Sequence, residues 1–191
     1  PNNKSYSVAL THDVDHPQIV KLADAAKNIF RYKNKLDGFF KILFGSESFW
    51  KFQEWIKLES EFNMKSAFYF CPKKGSIYSY ILSQIGEHGT PDPIYEISTP
   101  EFRKVFKFIN SKGFEIGLHS SFLAFKSKKK FLDEKKKLEK IAGTEVYGNR
   151  HHYWNMNPHN PNSTLKMHSE IGLNYDCSIG MEKFSGFRRG I

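Results

Sequence analysis

The sequence predicts an α/β fold built on a parallel sheet or barrel. Three observations support this prediction. Short apolar runs alternate with helical patterns along the whole chain. Hydrophobic residues make up 39% of the 191 residues and aromatic residues 16%, which is enough for a globular core. Polar clusters follow several apolar runs, as at the carboxyl ends of parallel strands. A chain of this length fits a single domain over residues 1–191.

Five apolar runs have the length and composition of buried strands. They are Tyr6–Leu10, Ala67–Phe70, Phe114–Leu118, Val146–Asn149 and Asn174–Ile179.

Helical periodicity occupies most of the chain between these runs. Thr99-Pro100-Glu101 is a typical helix start, with a capping residue, a proline at the first position and an acid in the first turn. Ser76–Pro93 is rich in Gly, Pro and Ser and is predicted to be irregular. The predicted helices are Asp24–Tyr32, Leu36–Phe44, Ser48–Phe62, the segment from Thr99 to Gly113, Ser127–Ala142 and Ser163–Ile171.

The chain is basic, with 29 Lys and Arg against 20 Asp and Glu and a net charge of +9. Many of the lysines surround the apolar positions of Ser127–Ala142, so we expect them to form the solvated face of that helix. Attraction to an anionic polymer or a membrane surface is the alternative. Nucleic-acid binding would favour arginine-rich loops, and the chain has few arginines, so no nucleic-acid partner is predicted. No apolar run reaches the roughly 18 residues that span a bilayer.

The two cysteines, Cys71 and Cys177, exclude a disulfide framework and a four-cysteine zinc site. Both are predicted to be buried thiols. Pro1–Lys4 is polar and shows no secretory signal. The cellular location is therefore left open between the cytoplasm and an exported protein whose start has been trimmed.

Three polar clusters follow predicted strands. They are Thr11–His16 after the first strand, His119–Ser121 after the third and Arg150–Trp154 after the fourth. Because the carboxyl ends of parallel strands lie on one edge of a sheet or barrel, we expect the clusters to meet there.

Each cluster has a functional and a structural interpretation. Asp13 and Asp15 repel each other unless a metal or another cation lies between them, but Asp-rich turns and helix caps are also common. His119 is either a metal ligand or a hydrogen-bonded structural residue. Arg150 either holds a carboxylate through two hydrogen bonds or lies on the surface.

In this order along the chain, the segments resemble the polysaccharide deacetylase family, which includes NodB-type and chitin deacetylases and is also called carbohydrate esterase family four. Thr11–Asp15 is similar to the family's first motif, with one residue between the two acids. Gly117–Ser121 matches the first half of its His-Ser/Thr-x-x-His motif. Asn149–Trp154 is similar to its arginine motif, and Gly172–Ser178 to the strand that follows. Residues 20–65 and the closing segment Phe184–Gly190 are similar to a divergent bacterial branch of the family.

The resemblance implies a distorted barrel of seven parallel strands, a divalent metal such as zinc, and hydrolysis of acetyl groups on a cell-surface or cell-wall carbohydrate. N-acetyl groups, whose removal breaks a non-peptide C–N bond, are the expected substrates. It also implies that Asp13 is the general base and that Arg150 orients it and keeps it ionised. Asp15 and His119 would bind the metal. As a third ligand we predict His152, because strand alternation would place it on the side of Arg150. His16, or a site completed by water, is the alternative.

Two departures from the family pattern stand out. Leu123 occupies the position of the family's second histidine. The family's later Leu-x-x-His segment, which supplies the general acid, is not found in residues 1–191, so we expect either that the chain is a fragment or that the domain lacks its last strands.

Other functions are also compatible with parts of the pattern. A catalytically degenerate deacetylase-like domain would bind glycans through its many aromatic residues. An Asp-x-Asp phosphatase of the haloacid dehalogenase type is disfavoured by Pro17 and by the absence of an Asp-Asp pair. A glycosyltransferase with an Asp-x-Asp metal site would leave His119 and Arg150 without a role. The sequence does not indicate the sugar, the acetyl position or the oligomeric state.

Overall fold

The structure is a computed structural model that describes residues 8–17, 35–44, 50–84 and 92–180. By its internal contacts the chain divides into two compact units. We call them the sheet unit, which is Pro1–Val14, Phe52–Pro72 and Ile97–Ile191, and the second unit, which is Asp15–Lys51 and Lys73–Glu96. The expectation of a single domain over residues 1–191 stays a prediction.

The sheet unit contains a five-stranded sheet in which each strand pairs in parallel with the next strand of the chain. This sequential order is the order of a (β/α) barrel, whereas a doubly wound sheet reverses its order at a switch point. Closure into a seven-stranded barrel stays a prediction. The strands are β1 (Leu10–Val14), β2 (Ser66–Phe70), β3 (Glu115–Ser120), β4 (Gly148–His151) and β5 (Tyr175–Asp176).

Helices connect the strands, as parallel pairing requires. The sheet unit holds α2 (Phe52–Glu61), α4 (Pro100–Ser111), α5 (Lys128–Ala142) and α6 (Pro161–Glu170), and the second unit holds α1 (Lys35–Phe44) and α3 (Ile77–Gln84). The predicted helix Asp24–Tyr32 lies outside the described residues. No helix in the described part of the chain is long and apolar enough to cross a bilayer.

One face of the sheet carries the aromatic core. Phe68 and Phe70 of β2 are buried there, and the Phe70 ring meets Phe106 of α4 edge-on, with ring centroids 4.8 Å apart. Phe131 and Leu138 of α5 are fully buried. Each such side chain stabilises the fold by about 1.5–3 kcal/mol.

The other face is polar and depends on two glycines. The Tyr69 ring lies over Gly117, its register partner on β3, so that a Cβ at Gly117 would come within 2.4 Å of the ring. Tyr175 lies over Gly148 in the same way, with 2.2 Å to the nearest ring atom. Glycine at these positions gives two tyrosine rings the room to lie flat on the sheet.

The ends of α5 match its sequence signals. The Ser127 side chain accepts a hydrogen bond from the backbone N–H of Lys130, and Gly143 closes the helix in a left-handed conformation with φ 68°. Exposed lysines cover its outer face, as predicted: Lys128, Lys129, Lys130, Lys136, Lys137 and Lys140.

Several predicted boundaries were wrong. Of the predicted first strand Tyr6–Leu10, only residues 8–10 are described; the strand there begins at Leu10 and continues to Val14, and Val8 is 70% exposed. His119 and Arg150 lie inside β3 and β4 and do not follow them, because pairing with neighbouring strands continues past the apolar run. The fifth strand is shorter than predicted, and Cys177 is half-buried, while Cys71 is buried.

The segment Ser76–Pro93 was predicted to be irregular but contains the helix α3. The Ser76 side chain accepts a hydrogen bond from the backbone N–H of Ser79 at 3.0 Å, so it caps the first turn. The Gly- and Pro-rich composition of the whole segment obscured this short helix.

Candidate metal centre

Arg150 on β4 holds the carboxylate of Asp13 on β1. Its Nη1 donates to Asp13 Oδ1 at 2.9 Å and its Nη2 donates to Thr11 Oγ1 at 2.8 Å. Thr11 and Asp13 are two residues apart on one strand, so both side chains point to the same side. The guanidinium also lies over the Tyr69 ring, 5.1 Å from its centroid, and its Nε donates to the carbonyl of Cys177. These contacts fix the orientation of both charged groups.

The main chain of Arg150 holds His119. Register pairs His119 with Arg150, and His119 Nδ1–H donates to the Arg150 carbonyl oxygen at 2.7 Å. A carbonyl can only accept, so Nδ1 carries the proton and the neutral ring has its lone pair on Nε2. Metal-binding histidines are oriented in this way, with one nitrogen hydrogen-bonded and the other directed at the ion.

His152 lies beside His119. It is buried and begins the short 3-10 turn His152–Trp154 that follows β4. The His119 and His152 rings are nearly perpendicular, at 77°, with centroids 5.1 Å apart. A ring nitrogen of one lies within 4.8 Å of a ring nitrogen of the other. The predicted alternation is not the cause of this placement, because the strand ends at His151 and the chain turns.

His151 faces the opposite side of the sheet from Arg150. It is fully buried and takes part in a chain of hydrogen bonds. The Asp176 carboxylate faces Nδ1 of His168 at 3.6 Å, so the proton of neutral His168 belongs on Nδ1. His168 Nε2 then accepts from His151 Nε2–H at 2.9 Å, and His151 Nδ1 accepts from the Ser120 hydroxyl at 2.9 Å.

The environment keeps both of these histidines neutral. Burial above all, together with the neighbouring His168 and His119, lowers the pKa of His151 to about 3. Burial also lowers the pKa of His168, against the opposing effect of Asp176. The rings of both histidines pack on Phe131, with centroids 5.3 Å and 5.2 Å away.

Asp176 is a polar residue of this region that the sequence reasoning missed. Its carboxylate accepts hydrogen bonds from Asn149 Nδ2 and from both the backbone N–H and the hydroxyl of Ser178. His151, His168 and Asp176 form a second His/Asp group whose ligand-type atoms lie within 4.8 Å of one another. The sequence signal that points to Asp176 is its place in the family-like segment Gly172–Ser178.

The remaining predicted residues are placed as follows. Asp15 directly follows Val14, the last residue of β1. Leu123 is 47% exposed before a short 3-10 turn, and its hydrocarbon side chain cannot bind a metal. His16 lies in the second unit, where its ring meets the edge of Tyr80.

Three comparisons with known proteins gave the following results. No protein-family model matches the chain, and no curated protein matches it. Similar solved structures include a polysaccharide deacetylase candidate from Mycobacterium smegmatis, with 18% identity and a TM-score of 0.46 over 88% of this chain. They also include a CE4 family pseudoenzyme from Bacillus anthracis, with 10% identity and a TM-score of 0.45, and a mutant of it with restored enzymatic activity, with 10% identity and a TM-score of 0.46. The chain spans 49%, 41% and 43% of these three structures.

Proposed function

We propose that the protein is a metal-dependent hydrolase that removes acetyl groups, N-acetyl groups above all, from a cell-surface or cell-wall carbohydrate. The observation that carries this proposal is the double role of Arg150. Its side chain holds Asp13, the proposed base, and its carbonyl orients His119, the proposed ligand. One residue thus couples a positioned carboxylate to an oriented imidazole, which is the pairing that metal-assisted hydrolysis needs.

The proposed metal ligands are Asp15, His119 and His152. Two of them, His119 and His152, lie in the sheet unit, with a ring nitrogen of one within 4.8 Å of a ring nitrogen of the other. Imidazole nitrogen with one carboxylate oxygen is a ligand set that suits zinc and similar borderline divalent ions. A bound ion would supply Lewis-acid polarisation of the acetyl carbonyl.

Asp13 would accept the proton of the water that attacks the acetyl carbonyl. Its side chain is 29% exposed, so it can reach a water and a substrate while Arg150 holds one of its oxygens. The ion pair with Arg150 also fixes the orientation of the second carboxylate oxygen of Asp13. Arg150 is then a positioning residue, and it needs no proton transfer of its own.

The test is acetate release from acetylated carbohydrates. Chelator-treated protein, reloaded with zinc, cobalt or manganese, is assayed on an N-acetylated chito-oligosaccharide and on O-acetylated xylan. Asp13→Asn should keep its metal yet lower turnover by roughly 10²–10⁴, the usual effect of losing a general base. The exposed Asp133 on α5 provides the control variant Asp133→Asn, which should behave as the parent. Equal turnover in Asp13→Asn and the parent would refute the role of Asp13.

A second function, glycan binding without catalysis, is favoured by one observation. Leu123 stands where the resemblance places a histidine ligand, so the centre has a different ligand set from the family pattern. A parent protein that binds metal and the oligosaccharide but releases no acetate under any of the three metals would establish this second function and exclude the first.

A further inference from the structure

The outward side of helix α5 is strongly basic. The helix contains seven lysines and three acids, and Phe131 and Leu138 are buried on its inner side. Residues 129, 136 and 140 are seven and four positions apart, so they follow one another along one exposed stripe that is about 16 Å long. The exposed acid Asp133 lies on the same stripe. We call four exposed side chains of this side the lysine face: Lys129, Lys130, Lys136 and Lys140.

The other two acids of α5 are engaged away from the lysine face. Glu134 accepts hydrogen bonds from the backbone N–H and the hydroxyl of Ser121, at 2.9 Å and 2.5 Å. Glu139 pairs with Lys135 at 2.5 Å and accepts from the backbone N–H of Val146 at 3.1 Å. Among the residues that the structure describes, no acid forms an ion pair with the lysine face. Its positive charge is therefore open to a partner outside the chain.

The start of the helix is an unfavourable place for lysines. Lys128, Lys129 and Lys130 form the first turn of α5, which contains no acid. Lys128 pairs with Glu170 of α6 at 2.6 Å, which leaves the charges of the other two lysines. The positive end of the helix dipole lies at this turn, and cations are favourable only near the opposite end. A local choice that opposes folding in this way is typical of a functional position.

The lysine face lacks the features of a nucleic-acid site and of a helix that inserts into lipid. Helix α5 contains no arginine to form forked contacts with phosphates, and its aromatic residue, Phe131, is buried and cannot stack on a base. None of the exposed large hydrophobic side chains of the described chain belongs to α5, whereas an interfacial helix needs such side chains to enter the hydrocarbon. The contact that this face can make is one of charge alone.

We propose that the lysine face docks the protein on the surface of an anionic lipid bilayer. Clusters of about four to eight lysines on an amphipathic helix are typical of binding to anionic lipids. Lipid head groups diffuse within the bilayer, so they can gather around the convex surface of a helix, whereas the charges of a rigid polymer have fixed positions. This docking is independent of the proposed function, because α5 supplies no residue to the candidate metal centre.

The test is cosedimentation of the full chain with vesicles of phosphatidylcholine that contain about 30 mol% phosphatidylglycerol. The parent should bind at about 0.1 M NaCl and should be released at about 0.5 M NaCl, where surface charges are screened. The triple variant Lys129→Gln, Lys136→Gln and Lys140→Gln should bind on the order of 100-fold more weakly, because each lysine near the surface contributes about fivefold. A parent that does not bind these vesicles at the lower salt concentration would overturn the proposal.

The control removes the same charge from three other helices. Lys57→Gln on α2, Lys104→Gln on α4 and Lys166→Gln on α6 change three exposed lysines that lie apart from one another in the sequence. The control should bind within about threefold of the parent, because scattered charges do not share one contact with the bilayer. An equal loss of binding in both triple variants would show that net charge alone attracts the protein, and would overturn the role of the lysine face.

Two further measurements exclude a structural role. Glutamine is a good helix former and removes the repulsion between Lys136 and Lys140, so the midpoint of urea unfolding of the α5 variant should equal or exceed that of the parent. Replacing the same three lysines by arginine keeps the charge and should preserve vesicle binding. Loss of binding in the arginine variant would overturn docking by charge.

The kind of partner is tested by two linear polyanions, a short DNA duplex and polygalacturonate. Vesicle binding by the parent that depends on the lysine face supports the membrane. Binding to either polymer, with no binding to the vesicles, would make the partner a polymer and overturn the membrane proposal.

Discussion

Arg150 connects more of the candidate site than any other single residue described above. Its planar guanidinium reaches Asp13, Thr11 and the carbonyl of Cys177 at once. A lysine ammonium keeps the charge but cannot reproduce this forked geometry.

We therefore expect Arg150→Lys to misplace Asp13 and to lower turnover on the order of 10²-fold, the scale of a small misplacement of a reacting group. Metal affinity should stay unchanged, because His119 is held by the main chain of residue 150. Acetate release and metal content are the two measurements, and Arg103→Lys on the exposed side of α4 is the control. A loss of metal in Arg150→Lys would contradict the separation of the two roles.

The buried His151 makes stability depend on pH. Its pKa in the folded protein is about 3, below the ordinary value near 6.5, so the unfolded chain binds the proton more readily. Stability is therefore lost as pH falls from about 7 toward 3, and the loss at pH 5 from this group is about 2 kcal/mol. Urea unfolding of chelator-treated protein should give a lower free energy of unfolding at pH 5 than at pH 7.5.

His151→Gln is the variant that tests this prediction. His159→Gln, at an exposed histidine, is its control. His151→Gln should be destabilised at pH 7.5, because Ser120 and His168 lose a partner, but should show a smaller loss between the two pH values. His159→Gln should keep the full loss of the parent. An unchanged pH dependence in His151→Gln would mean that other groups cause it.

At the scale of elements, the close approach of β2 and β3 depends on Gly117. A methyl group there would lie 2.4 Å from the Tyr69 ring, which is fully buried. Gly117→Ala should lower the free energy of unfolding by about 1–3 kcal/mol, as overpacking does. Gly143→Asn, at a left-handed helix end with nothing within 4 Å, should change it far less. An effect of Gly117→Ala as small as that of Gly143→Asn would show that the Tyr69 ring moves aside and that the contact does not limit the packing of β2 and β3.

Helix ends and strand ends differ in how well the sequence predicts them. Helices with local caps could be predicted nearly to the residue, because Ser127, Gly143 and Pro100 act on their own neighbours. Strand ends could not be predicted in this way, because the length of a strand also depends on the partner strand with which it pairs. His12 is a polar residue outside the apolar run, yet its ring stacks on Phe68 with centroids 4.6 Å apart and hydrogen-bonds Glu59, and β1 lies further along the chain than the apolar run.

At the scale of the whole molecule, the parallel order of the sheet brings distant residues together. It was this rule, applied to Asp13, His119 and Arg150, that made much of the candidate site predictable from sequence. The side-chain contacts that link Asp176, His168 and His151 could not be predicted. They join α6, β4 and β5, and no local motif marks these residues.

Metal binding should stabilise the folded chain as a whole. An ion that binds only the native state adds about 2.7 kcal/mol when its concentration is 100 times its dissociation constant. Zinc should thus raise the thermal unfolding midpoint of the parent and of His159→Ala, but not of His119→Ala. An equal rise in His119→Ala would place the ion elsewhere, for which the group of His151, His168 and Asp176 is the first candidate.

The hydrogen bond from His119 to the carbonyl of Arg150 has a consequence for genetics. No side-chain substitution at position 150 removes the carbonyl oxygen, so mutagenesis of this residue reports on the contacts of its side chain with Asp13, Thr11 and Cys177 and not on the hydrogen bond to His119. The hydrogen bond to the His119 imidazole depends instead on the register of β3 and β4. In this register Leu118, His119 and Ser120 pair with Asn149, Arg150 and His151. A slip of one residue would give His119 a different carbonyl and turn the guanidinium to the opposite face. Selection on this hydrogen bond would therefore act on the residues that set the register of β3 and β4, and would leave little trace at the arginine codon itself.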